Sequence, residues 1–98
     1  MALLINKFTV VGNADEFERI WQASSEFMRH QPGFVSFRLV RSVREPEVYF
    51  NIAEWADASA HERVVRSPAF QEHISELAKV AKPEPSICET VISHGSVA

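Results

Sequence analysis

The chain has 98 residues, of which 46% are apolar and 23% charged, the make-up of a single folded domain over 1–98 and not of a disordered tail. A net charge of -3 with no basic block excludes nucleic acid and anionic membrane as expected partners. The lone Cys88 excludes an internal disulfide and a cysteine-built metal site, and no apolar run approaches the ~20 residues of a membrane span.

Leu3 to Val11 is short, apolar and β-branched and predicts a first strand. Asn6 and Lys7 inside it speak against a signal peptide, so the expected compartment is the cytoplasm. Gly12 ends the strand, and Asn13 with Glu16 has the spacing of a reciprocal helix cap. From Asp15 to His30, the residues Phe17, Ile20, Trp21, Phe27 and Met28, with Ser24 among them, form one helical face that Pro32-Gly33 ends. Phe34 to Val40 and Glu47 to Trp55 predict a hairpin across the polar turn Ser42 to Pro46. Asp57 or Ser59 caps a short helix to about Arg66, and Ser67-Pro68 starts another whose inner stripe is Phe70, Ile74, Leu77 and Ala78. Lys82-Pro-Glu-Pro85 is expected to break the chain, leaving Ile87 to Ser93 as the last strand. The order β-α-β-β-α-β, with the second helix split, is an α+β ferredoxin-like fold.

In the second strand Val35, Phe37 and Leu39 share one face by alternation; in the third, Val48, Phe50 and Ile52 share one face and Tyr49, Asn51, Ala53 and Trp55 the other. Neither strand alternates cleanly between apolar and polar, as a sheet with one wet face does. Helices of this fold cover one face only, so a second copy of the chain is expected on the other, making a homodimer.

Asn is disfavoured inside a strand, and a buried amide needs partners, so Asn51 binds either a ligand or nearby backbone. Trp55, four residues on and on the same face, reads alone as a core indole; together the two suggest a pocket. Asn6 interrupts the first strand and either joins that pocket or marks an edge position. His61 and His73 are candidate bases or imidazole ligands, against the plainer reading of half-exposed helical histidines. His61-Glu62 lacks the second histidine of a zinc-protease string, Val65 standing in its place. Gly33-Phe-Val-Ser-Phe37 has the look of an RNA-recognition stretch, but it lies on the wrong strand, follows Pro32, and sits in an acidic chain.

The run Asn6-Lys-Phe, the segment Gln31-Pro-Gly-Phe34, the element Asn51-Ile-Ala-Glu-Trp55 and Ser67-Pro-Ala-Phe-Gln-Glu-His73 resemble the antibiotic biosynthesis monooxygenase superfamily over about Leu4 to Val91. The resemblance implies a dimeric α+β barrel. In members that oxidise polycyclic aromatics without metal or flavin, the Asn-x-x-x-Trp element belongs to the site, which points to Asn51 and Trp55; where those enzymes carry a Tyr this chain has His61, and in the region of their helical Arg it offers His73 and Ile74. In haem-degrading members an Asn of the first strand and a His of the later helix carry function, positions that Asn6 and His73 fit, while Val64 replaces their cavity-shaping Trp.

The leading expectation is therefore a cofactor-independent monooxygenase that lets O2 oxidise a small aromatic, quinol-like substrate. Asn51 and Trp55 would hold the enolate oxygen and His61, or else His73, would act as base. Asn6, Trp21, Phe37, Tyr49, Phe70 and His73, with Phe17, would form the walls. No metal is expected in that reading; the alternatives are a haem protein using His73, and a non-catalytic dimer that binds a small ligand.

Overall fold

The computed structural model describes residues 1–95. The elements are β1 (Ala2–Val10), α1 (Ala14–Met28), β2 (Phe34–Arg41), β3 (Val48–Trp55), α2 (Ala58–Val65), α3 (Pro68–Ala78) and β4 (Ala81–Cys88). The strands form one antiparallel sheet in the order β2-β3-β1-β4, the ferredoxin-like arrangement expected from the element order.

Each helix begins where a side chain accepts an amide that the first turn leaves unpaired. Asn13 takes the Glu16 N–H at 3.0 Å, Asp57 the Ala60 N–H at 2.8 Å and Ser67 the Phe70 N–H at 3.2 Å. Asp57 and not Ser59 is thus the cap of α2.

Gly33 is fixed by more than its turn. Its φ is +87°, and a Cβ there would stand 2.4 Å from the Ala60 Cβ. Its carbonyl also accepts from the Ala56 N–H at 2.7 Å. The turn before β2 is thereby clamped onto the start of α2, and Phe34 lies edge-on to Trp55 with ring centroids 5.5 Å apart.

Two sequence expectations are corrected. A bulge at Val35 pairs Phe34 with Trp55 and Ser36 with Glu54, so two residues of β2 advance the register by one. Phe34 joins Phe37 on the helix-covered face, and Val35 turns out, 48% exposed. Simple alternation had grouped Val35 with Phe37, because a period of two cannot register an inserted residue. The second correction is the last strand. β4 runs straight through Pro83 and Pro85, and residues 89–95 hold no regular element, so the strand expected at Ile87 to Ser93 lies earlier. β4 is an edge strand bonded only to β1, where proline's missing N–H is tolerated. The Glu84 N–H between the prolines donates to Asn6 Oδ1 at 3.0 Å.

The helices cover the sheet face that carries Phe8, Tyr49, Ala53 and Trp55, and the apolar interior falls into two clusters. One gathers Phe8, Phe17, Tyr49, Leu77 and Val80. The other gathers Leu4, Ala53, Trp55, Ala60 and Val64, with Phe34, Phe37 and Phe70 half-buried against it. On the opposite sheet face Ile5 pairs with Ile52, and Phe50 lies beside Lys7; these and Leu3 are half-buried, and Val40 is exposed.

Candidate active site

Between the two clusters the interior changes character. The buried polar residues among those described are Asn6, Ser24, Ser25 and Asn51, and all of them line one cavity. The alignment of the elements produces this. On β1, Asn6 falls between Leu4 and Phe8; on β3, Asn51 falls between Tyr49 and Ala53; and the two asparagines are direct cross-strand partners. Ser24 and Ser25 lie on α1 between Trp21 and Met28, and His73 lies on α3 between Phe70 and Leu77. A polar belt thus crosses the interior, with an apolar half on either side.

The cavity measures about 50 Å³ and is walled by aromatic rings, among them Trp21, Phe34, Phe37, Trp55 and Phe70. Among the described residues, no Lys, Arg, Asp or Glu lines it.

Most buried polar groups find partners, since leaving one unpaired costs about 1–3 kcal/mol. Asn6 Oδ1 is taken by the Glu84 N–H. Ser24 Oγ lies 3.2 Å from His73 Nδ1, and Ser25 Oγ donates to the Gln22 carbonyl at 2.7 Å. Three buried side-chain atoms have no hydrogen-bond partner among the described residues: Trp21 Nε1, Asn51 Oδ1 and Trp55 Nε1. All three belong to residues lining this cavity. Two N–H donors and one amide oxygen are thus left unpaired on residues that wall the cavity.

Of the residues proposed from sequence, Asn6, Trp21, Phe37, Asn51, Trp55, Phe70 and His73 come together at the cavity. His61, Tyr49 and Phe17 do not line it. His61 sits on α2 behind Trp55, its ring nearly perpendicular to the indole at 5.4 Å, because α2 starts immediately beyond the end of β3. Burial lowers its pKa and so favours the neutral imidazole. Tyr49 shares the face of Asn51 but lies two residues back along β3, where it packs on Phe17 at 4.9 Å. Its hydroxyl donates to the Glu18 carboxylate, and burial, then that carboxylate, push its pKa up to about 12. Phe17 is fully buried in the same cluster.

Sequence reasoning passed over Ser24, Ser25, Met28 and Phe34. Ser24 carried a usable signal, being a hydroxyl in the apolar stripe of α1. Phe34 carried none, since only the bulge brings it inward.

The sequence pattern of the antibiotic biosynthesis monooxygenases matches residues 1–76. The chain is 36% identical over 80 residues to the deoxynogalonate monooxygenase of Streptomyces nogalater, covering 82% of this chain and 68% of that one. It is 27% identical over 78 residues to a mycobilin-producing heme oxygenase of Mycobacterium tuberculosis, covering 80% and 74%. The fold superposes on SnoaB, a cofactor-independent oxygenase from Streptomyces nogalater, with a TM-score of 0.90, 32% identity and 94% of each chain covered.

Proposed function

The chain belongs to the antibiotic biosynthesis monooxygenase family, and from that premise we propose that it is a cofactor-independent monooxygenase that oxidises an aromatic, anthrone- or quinol-like substrate with O2. The observation that carries this reading is that the three buried polar atoms without partners among the described residues all belong to side chains lining one aromatic-walled cavity.

A substrate carbon flanked by aromatic rings and conjugated to a ketone loses a proton readily when the resulting enolate oxygen is stabilised. In the tautomer whose Nδ1–H donates to Ser24 Oγ, His73 Nε2 has a free lone pair and accepts that proton. The enolate oxygen takes the Trp55 N–H. The Asn51 amide, which can present its oxygen or its NH2, holds a neighbouring hydroxyl or the same oxygen. The enolate gives one electron to O2; the superoxide and the substrate radical combine, forming the C–O bond of a peroxide. Removal of the second proton from that carbon, with cleavage of O–O, leaves a ketone and water. One CH2 and one O2 become one C=O and one H2O, so no external reductant is needed. His61 acts here through Trp55, by holding the indole edge, and Tyr49 and Phe17 support the wall from the adjoining cluster.

Haem suits this cavity poorly. His73 could offer Nε2 to iron, but no Lys or Arg among the described residues lines the space to pair with the two propionates. No step is therefore routed through haem.

The working unit in this reading is a cytoplasmic homodimer, with the face bearing Ile5, Phe50 and Ile52 stacked on its copy. Support comes from the apolar centre of that face and from the Lys7–Phe50 and Ile5–Ile52 rows, which a second sheet would cover. Ile5→Lys on that face should turn a dimer into a monomer in light scattering; a wild-type monomer overturns the dimer.

The decisive assay is oxygen uptake with a hydroxyanthrone in the presence of EDTA. Quinone should form in step with O2 consumed, and Trp55→Phe should lower the rate on the order of a hundred-fold, the usual effect of losing one oxyanion donor. A rate no faster than buffer overturns the reading and favours a binding protein.

A further inference from the structure

Two buried serines follow one another on α1, and their hydroxyls do different work. Ser25 Oγ donates to the Gln22 carbonyl at 2.7 Å, the common fate of a hydroxyl inside a helix. Ser24 Oγ instead lies 3.2 Å from Nδ1 of His73, 49 positions along the chain on α3. That nitrogen is its one hydrogen-bond partner among the described residues. Three positions further along α1, Phe27 lies against the same imidazole, with ring centroids 5.2 Å apart and planes 35° from parallel. One helix therefore grips the ring twice, through a nitrogen at its edge and through a neighbouring ring.

A neutral histidine carries its proton on one nitrogen, and the partner of that nitrogen decides whether the other donates or accepts. The usual orienter is a carboxylate, which also stabilises the charged ring. Among the described residues no carboxylate pairs with His73, and none lines the cavity. A hydroxyl orients the ring without adding charge, and it accepts or donates by turning about its C–O bond. What the chamber otherwise lacks sets the direction. Among the described residues that line it, His73 alone can take up a proton near neutral pH.

We propose that Ser24 is a positioning residue: by accepting the Nδ1–H it holds His73 in the tautomer whose Nε2 is bare, so that the base of the chamber is set before substrate arrives. This deepens the monooxygenase reading, on which the need for a base rests, and gives Ser24 no contact with the reacting atoms. Without the hydroxyl the ring carries its proton on either nitrogen, and every ring protonated at Nε2 is unable to accept there.

The ring nitrogens are read by NMR on intact protein containing isotope-labelled histidine, at a pH about two units above the ordinary histidine value of about 6.5. Loss of signals in His73→Ala identifies this ring among the four histidines. Wild-type protein should show a protonated Nδ1 and a bare Nε2. Ser24→Ala, a small change at a buried position, should move a large share of the rings to the Nε2–H form. It should also lower kcat for anthrone oxidation roughly ten-fold with KM unchanged, about the worth of one net hydrogen bond. Ser24→Thr, which returns a hydroxyl, should restore tautomer and rate together. A wild-type ring protonated at Nε2, a ring pattern unmoved by Ser24→Ala, or a kcat unmoved when the tautomer shifts overturns the proposal. The expected tautomers in a protein that oxidises no anthrone would sink the monooxygenase reading alone; oxidation by a ring protonated at Nε2 would sink the role of Ser24 alone.

Discussion

The two apolar clusters beneath the helices use similar side chains to opposite ends. Around Phe17 the rings close on one another, with Phe8 at 5.4 Å and Tyr49 at 4.9 Å, and the one buried hydroxyl reaches a carboxylate. Around Trp55 the rings Phe34, Phe37 and Phe70 stay half-buried, and the indole N–H has no partner among the described residues. Among the fully buried members of the first cluster the polar group is paired, whereas in the second the Trp55 N–H is left free. The Trp21 indole, packed against the first cluster where it meets the cavity, is also unpaired among the described residues. Burial alone does not separate them, since Trp55 is 1% exposed and Phe17 0%. The difference lies in hydrogen-bond accounting.

Truncation is the harshest way to test that contrast. Phe17→Ala should destabilise the fold by about 3–5 kcal/mol, read as a lower urea midpoint, because a large ring leaves a void that its neighbours fill only in part. Trp55→Phe should stay within about 1.5 kcal/mol of wild type, since it keeps most of the packing and deletes a donor that has no partner among the described residues. Equal losses from the two would make the second cluster ordinary core. Gly33→Ala should cost about 2–4 kcal/mol, from the left-handed backbone and the collision with Ala60, and should loosen the Phe34–Trp55 contact first.

The smallest effect concerns His61. Its folded pKa lies below its ordinary 6.5 because burial disfavours the charged ring. In the window between the lowered value and 6.5 the unfolded chain binds more protons than the folded one, so stability rises with pH there. Acidifying below 6.5 should therefore lower the melting temperature slightly, and His61→Phe should remove that slope. A slope that survives the substitution would move its origin to another group.

Much of the fold was legible because the elements are punctuated by side chains with local work to do, such as Asn13, Ser67 and Gly33. Asn51 and Trp55 were legible because a strand-interior amide contradicts its propensity. What escaped was non-local. Which faces of α2 and β3 meet decides that His61 lies behind Trp55, and no spacing encodes that angle. The path of β4 escaped because proline reads as a breaker until the strand is known to be an edge. Trp21 was read as a wall, and its free N–H emerges only when every neighbouring acceptor is placed.

The extra residue at Val35 has a consequence for how such a chamber can change over generations. Because it seats two aromatic rings three positions apart on the same side, deleting that single residue would restore plain pleating and swing Phe34 out to the opposite surface. The segment from Gly33 to Phe37 therefore behaves as a unit of fixed length: its letters can be exchanged to reshape the hollow, whereas a shortened copy would lose one side of it altogether.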